Sequence, residues 1–209
     1  MIIVVAHNKG GVGKTTLSMN LAAAMKPDIV IDQDLHHGLS VLSKLRDKAP
    51  SLEVLVIQNS NELIKVFNQS NDGKVILVDC GGFDADINRM AIAAADLIIV
   101  PANDEITEVI GLKHFNRILE EISSDMEVKV EAKVLLTKVN PTRKKFDAIE
   151  SFVSQTENLS MMKTIIPRRK EYPTALQDGL GVVECKSTKN SSAAKEIKQL
   201  VKEINSLVN

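Results

Sequence analysis

Short, continuously apolar runs alternate with longer stretches of helical periodicity from one end of the chain to the other. The runs fall at 2–6, 29–31, 52–57, 75–78, 97–100, 130–136 and 164–166, and the helical patterns at 15–25, 38–47, 62–68, 85–94, 107–122, 143–155 and 192–208. Several runs, Ile2-Ile3-Val4-Val5-Ala6 among them, contain no polar residue, as strands covered on both faces do. This alternation predicts an α/β fold: a doubly wound, mostly parallel β-sheet flanked by helices. In such a sheet ligands sit beyond the carboxyl ends of the strands, where loops enter helix N-termini. No repeat or low-complexity tract breaks the pattern, so one domain over 1–209 is expected.

Composition narrows the class. An apolar fraction of 44% and a charged fraction of 25% are those of a soluble globular chain. No apolar run reaches the roughly 18 residues that cross a bilayer. The first apolar run lacks a preceding basic segment, so it reads as a buried strand and not as a signal peptide. Two cysteines, Cys80 and Cys185, make no disulfide framework, and a cytoplasmic location is expected. The net charge of -1 excludes binding driven by overall charge. Its distribution is uneven: residues 163–209 hold nine Lys+Arg against five Asp+Glu. That basic last quarter is either a surface for an anionic partner or a set of solvated lysine-rich helix faces.

The chemistry concentrates after the first strand. His7-Asn8-Lys9-Gly10-Gly11-Val12-Gly13-Lys14-Thr15-Thr16 leads directly into the first helical pattern. Three glycines in four positions let backbone N–H groups turn inward around a polyphosphate, and the helix adds its positive dipole end. Lys14 can reach the β- and γ-phosphates, and the Thr15 hydroxyl is placed for Mg²⁺. Two further strands end in acids: Val75-Ile76-Leu77-Val78-Asp79 and Ile29-Val30-Ile31-Asp32-Gln33-Asp34. Asp79 suits a Mg²⁺ that keeps several of its waters. His36 and His37 beside Asp32 and Asp34 invite a transition-metal site, but no further ligand cluster accompanies them.

Lys9 sharpens the class. Lys9-Gly10-Gly11-Val12-Gly13-Lys14-Thr15 resembles the deviant Walker A loop of the ParA/MinD superfamily of P-loop ATPases, and the resemblance extends over nearly the whole chain. It includes Ala95 to Pro101, Gly111, Val134 to Lys138, the segment Ile165-Ile166-Pro167-Arg168-Arg169, and then Tyr172, Ala175, Gly179 and Val182. The length is similar to that of the short, plasmid-type (ParF-like) partition ATPases. The resemblance implies Mg-ATP bound by residues 9–16, with Lys9 reaching the phosphates of a second subunit in a nucleotide-sandwich homodimer. It implies a water-positioning role for Asp34, although Leu35-His36-His37 stands where the family has Pro-Gln. Cys80-Gly81-Gly82 resembles the second switch, which puts Gly82 beside the γ-phosphate. Thr137 and Lys138 begin the base-side loop, and Pro167 and Arg168 flank the base.

Cys80-Gly81-Gly82-Phe83 also resembles a cluster-ligand segment of the nitrogenase iron protein. That site needs two cysteines per subunit at a spacing absent here, so no iron–sulfur cluster is expected. The partition branch implies non-specific binding to DNA by the ATP dimer, nucleoid association, and a ParB-like centromere-binding activator. Arg169, Lys170, Lys186 and Lys189 are the candidate phosphate contacts, with Lys195 and Lys198 behind them. The alternative is a MinD-like membrane ATPase. Ile197, Leu200, Val201, Ile204, Leu207 and Val208 form a helical stripe, but it has no aromatic anchor and Glu196 and Glu203 dilute its charge. That stripe reads as core packing.

Overall fold

The computed structural model describes residues 1–47, 49–81 and 85–208. Among them seven strands form one sheet: β1 (Ile2–Val5), β2 (Ile29–Gln33), β3 (Val54–Leu55), β4 (Ile76–Cys80), β5 (Leu97–Ala102), β6 (Ala132–Val139) and β7 (Leu159–Pro167). Their order is β3-β2-β4-β1-β5-β6-β7, and every pairing is parallel. The helices are α1 (Lys14–Met25), α2 (Gly38–Ser43), α3 (Ser60–Phe67), α4 (Asp86–Ala93), α5 (Ile106–Met126), α6 (Asp147–Ser154), α7 (Glu171–Leu176) and α8 (Ser192–Val208).

The apolar run of β1 is divided by the pleat between two cores. Ile2 and Val4 pack with residues of α3 to α6, whereas Ile3 and Val5 pack with residues of α1, α2, α7 and α8. A strand buried on both faces has no polar position to spare, which is why its sequence does not alternate. The parallel, helix-flanked sheet expected from the sequence is the one found.

Register sets up the site. Val5 pairs with Asp79 and Asp32 pairs with Asp79, so β1, β2 and β4 end together. The strand order reverses around β1, which has β4 on one side and β5 on the other. The crevice at that reversal is where this class of sheet binds ligands.

Four expectations change. The run 52–57 shrinks to a two-residue edge strand. The run 164–166 lengthens to nine residues, because β7 is the opposite edge and its half-exposed positions mix polar and apolar side chains. Its register shifts between Val134 and Leu136, and there the Glu203 carboxylate of α8 accepts the Lys163 and Thr164 N–H groups at 2.6 and 2.8 Å. The pattern 143–155 starts helical only at Asp147, since Arg143 folds back onto Lys145 O and over the Phe146 ring. Helix α7 was not expected. Pro173 argues against a helix, but it falls in the first turn, where a backbone N–H has no intrahelical partner to lose.

Candidate active site

The loop between β1 and α1 takes its shape from two glycines. Gly11 and Gly13 adopt φ values of 77° and 105°, left-handed conformations that a side chain would strain. Gly13 is the N-cap of α1, and a Cβ there would also lie 3.3 Å from Lys138 Cε. Val12 is buried and pins the loop, while Gly10 and Gly11 are exposed. Lys14 is buried, and its Nζ donates to Lys9 O at 3.1 Å, across the mouth of the loop. Burial pulls the Lys14 ammonium below its ordinary pKa, against Asp79 and Asp34, which favour its charge. A polyphosphate entering the loop supplies the anion this buried cation lacks.

Lys9 faces the other way. Its Nζ donates to Glu108 Oε2 at 3.1 Å and to Thr107 Oγ1 at 3.2 Å, both on α5. Glu108 is fully buried, and its Oε1 lies 2.9 Å from Nε2 of His7, which is buried as well. The other His7 nitrogen, Nδ1, accepts the Lys9 backbone N–H at 2.9 Å. Burial alone would raise the Glu108 carboxyl, but the His7 contact and then the Lys9 pair outweigh it and hold the carboxyl below its usual value. Sequence reasoning singled out neither His7 nor Glu108.

The acids gather at the ends of β2 and β4. Asp79 is fully buried: its Oδ1 accepts from Ser18 Oγ at 2.9 Å, and its Oδ2 is buried without a hydrogen-bond partner among the described residues. An orphaned carboxylate oxygen near the Thr15 hydroxyl fits a divalent cation. Burial pushes the Asp79 carboxyl up to about 7, with the Ser18 and Thr15 hydroxyls acting in the opposite direction. Asp32 is also buried and serves structure: it accepts from the backbone N–H of Asp34, and from Ser40 N and Oγ at 2.8 and 2.9 Å, fastening α2 to β2. Asp34 is half-exposed. Its Oδ1 caps the His36 N–H at 2.9 Å, and it lines a cleft of about 1130 Å³ with Lys14, Thr15 and Gly81. His37 has a left-handed φ of 49° and opens α2, which leaves His36 and His37 exposed at the rim.

The Asp79 shift has a consequence for stability. The folded carboxyl holds its proton more tightly than an unfolded one, so its stabilisation is complete below about pH 4 and lost as pH rises through about 7. At pH 8 the nucleotide-free protein carries a buried carboxylate that Ser18, Thr15 and Lys14 offset only in part, costing roughly 4 kcal/mol. Asp79→Asn should therefore raise the melting temperature of the nucleotide-free protein at pH 8, by on the order of 10 °C, and much less at pH 5. It should abolish Mg²⁺-dependent turnover. Calorimetric melting at the two pH values checks this; equal effects at both would show that Asp79 ionises freely.

On the far side of the loop a cavity of about 360 Å³ is lined by Val12, Gly13, Thr16, Thr137, Lys138, Pro167, Arg168 and Tyr172 together with apolar residues of α1, α7 and α8. Thr137 Oγ1 donates to Val12 O at 3.1 Å and Lys138 Nζ to Gly11 O at 2.6 Å, so the end of β6 braces the phosphate loop. Burial, and then the neighbouring Arg168, lower the Lys138 pKa. An apolar slot beside the phosphate loop, edged by Lys138, Arg168 and Arg169, suits a nucleoside. Gly82 and Phe83 lie outside the described residues.

The basic candidates do not form one set. Arg169 is held by the Glu196 carboxylate, with Nε at 2.9 Å and the nearer terminal nitrogen at 2.6 Å, so its charge is already matched. Lys170, Lys186, Lys189, Lys195 and Lys198 are all exposed.

A family model described as the CobQ/CobB/MinD/ParA nucleotide binding domain matches residues 3–182. The chain belongs to this family. It is a ParA/MinD-type ATPase domain. A protein named ParA from Rhizobium radiobacter is 26% identical over 92% of this chain and 90% of its own length. "Maintenance of carboxysome distribution protein A" of Halothiobacillus neapolitanus is 24% identical, over 97% and 95% respectively. Among solved structures, the MinC:MinD cell division complex of Aquifex aeolicus superimposes with a TM-score of 0.70 at 19% identity, covering 98% of this chain and 96% of that one. A putative plasmid partition protein of Borrelia burgdorferi bound to AMPPNP gives 0.68 at 14% identity, covering 98% of each. No helix among the described residues is long and apolar enough to cross a membrane.

Proposed function

We propose that this ATPase is a ParA-type partition protein of the cytoplasm that moves plasmid or chromosomal DNA. Mg-ATP binds at residues 9–16, with Thr15 and Asp79 holding Mg²⁺, which when bound neutralises charge on the phosphates. Lys14 contacts the same nucleotide. Lys9 of each subunit crosses to the phosphates of the other in a sandwich dimer, a cation delivered only after assembly. Asp34 orients the attacking water, and hydrolysis returns the monomers, accelerated by a ParB-like centromere-binding protein. The dimer sits on nucleoid DNA through Lys170, Lys186 and Lys189, by sequence-independent phosphate contacts.

The observation that carries DNA over membrane is the C-terminal helix. Its apolar residues Ala193, Ala194, Ile197, Leu200 and Ile204 are buried against α1 and the sheet, and its exposed face is mostly lysine and other polar residues, with Leu207 of the expected core stripe exposed near the end. A membrane-lying helix needs the reverse. The relative named ParA supports the same branch.

The test compares a random-sequence DNA duplex with anionic liposomes as ligands, each with ATP, with ADP and without nucleotide. DNA binding with ATP alone is expected, and its log affinity should fall with log salt by roughly 0.9 per phosphate contact. Replacing Lys186 and Lys189 together by alanine should flatten that slope and leave ATP affinity unchanged. ATP-dependent liposome binding without DNA binding would move the chain to the MinD-like branch.

A further inference from the structure

Lys9 is held at both ends within its own chain. Its carbonyl receives Lys14 Nζ, and its ammonium is bonded to Thr107 and Glu108 on α5. The Glu108 side chain is wholly buried while that of Lys9 is 30% exposed, so the carboxylate cannot be neutralised by solvent and Lys9 is its outward-facing counter-charge. His7 completes the arrangement from beneath, through Nε2 to Glu108 Oε1 and through Nδ1 to the Lys9 N–H. The ring of His7 stacks on Phe115, with centroids 5.9 Å apart, which fixes its orientation.

Gly111 makes room for this assembly. A Cβ at that position would lie 2.9 Å from His7 Cε1 and 3.3 Å from Glu108 Oε1. Each substituent would drive the histidine and carboxylate apart. On the same helix Ile106 and Ile110 lie one turn apart and are 73% and 59% exposed.

We propose that Glu108 is the positioning residue for Lys9: it holds the ammonium on its own subunit until a second, nucleotide-loaded subunit offers phosphate in exchange. The inference rests on the sandwich-dimer reading above and adds the element that sets its threshold. In the absence of nucleotide, Lys14 and Glu108 share Lys9 between them. When a polyphosphate fills the loop, Lys14 turns to it and releases the Lys9 carbonyl, leaving the α5 contacts as the hold on the Lys9 ammonium. Those contacts break when the partner's phosphates draw Lys9 across. Assembly then depends on ATP twice, once through Lys14 in cis and once through the phosphates in trans. After Lys9 leaves, His7 Nε2 still lies 2.9 Å from Glu108 Oε1 and the Asn103 N–H still points to Oε2 at 3.4 Å, so the buried carboxylate keeps polar neighbours.

The experiment is sedimentation velocity with saturating AMPPNP over a range of protein concentrations. Glu108→Gln keeps the shape and removes the charge, and its dimerisation midpoint should fall about tenfold below wild type, equivalent to about 1.4 kcal/mol. Thr107→Val, which removes only the exposed acceptor, should lower it by a few-fold and keeps the test available if Glu108→Gln folds poorly. In a Lys9→Ala background neither substitution should move the midpoint, a result that a merely structural Glu108 would not give. A wild-type dimer with unchanged or weaker assembly in both variants overturns the latch and spares the dimer. Wild type and both variants monomeric at every concentration overturns both, whereas a dimer in the variants alone supports the latch.

Discussion

Lys14→Ala should lose nucleotide binding, with ATP affinity falling at least a hundredfold by isothermal titration. The reason lies in the nucleotide-free geometry. Lys14 is buried, its ammonium is destabilised by that burial, and among the described residues that ammonium donates to the Lys9 carbonyl alone. A cation kept in a desolvated position gains more from an incoming phosphate than an exposed one does, because the interaction is screened less. A hundredfold loss corresponds to about 2.7 kcal/mol, within the range for a charge-assisted contact in such a site. The variant should remain folded, since the alanine removes a buried charge and only one hydrogen bond. Wild-type affinity in a folded Lys14→Ala protein would show that the glycine loop is not the phosphate site.

The second large effect is on turnover. Asp34→Ala should lower ATP hydrolysis at least a hundredfold, while ATP affinity stays within about threefold of wild type. Asp34 lines the cleft in front of Lys14 and Thr15 and is half-exposed, whereas the neighbouring Asp32 is buried and fully engaged with Ser40. Of the two acids at the end of β2, Asp34 is the one that lines the cleft. Single-turnover kinetics with bound ATP measure the chemical step directly. Undiminished hydrolysis would remove Asp34 from the reaction and direct attention to the Cys80–Gly81 side of the cleft.

What the sequence disclosed follows from which features are local. The phosphate loop is contiguous: three glycines, a lysine and a threonine between an apolar strand and a helix carry their own geometry. The end of β4 was equally legible, because an acid closing an apolar run needs no distant partner to be noticed. The two-sided burial of β1 appeared as a run without polar positions. The same reasoning fails where the partner is far away in sequence. Glu108 reads as one of several acids near the start of α5, and only the fold brings it to Lys9, 99 residues earlier, over His7. Gly111 was seen as a recurring glycine, but its reason, the close approach of the His7 ring, is three-dimensional.

Charge counting fails for a related cause. Arg169 contributed to the basic last quarter, yet Glu196 on α8 matches it bidentately, and a sum over residues cannot register pairing. Arg46 passed without comment in the sequence. Its guanidinium reaches Glu184 at 2.7 and 3.0 Å and Gly179 O at 2.9 Å, binding the α2 end to the segment before α8. At the sheet edge the misjudged length of β7 has a related origin. An edge strand is half-exposed, so the apolar run that marks a central strand is diluted there.

The measurement that tests the account most directly is the sedimentation of the Asp34→Ala protein with ATP, with ADP and without nucleotide. The account holds that ATP itself assembles two subunits around their phosphate loops, and that hydrolysis only releases them. A variant that binds ATP without hydrolysing it should therefore accumulate as a dimer of about twice the 22.9 kDa chain mass with ATP, and remain monomeric with ADP and without nucleotide. A monomer with ATP demonstrably bound would contradict the account, because Lys9 would then have no second phosphate to reach.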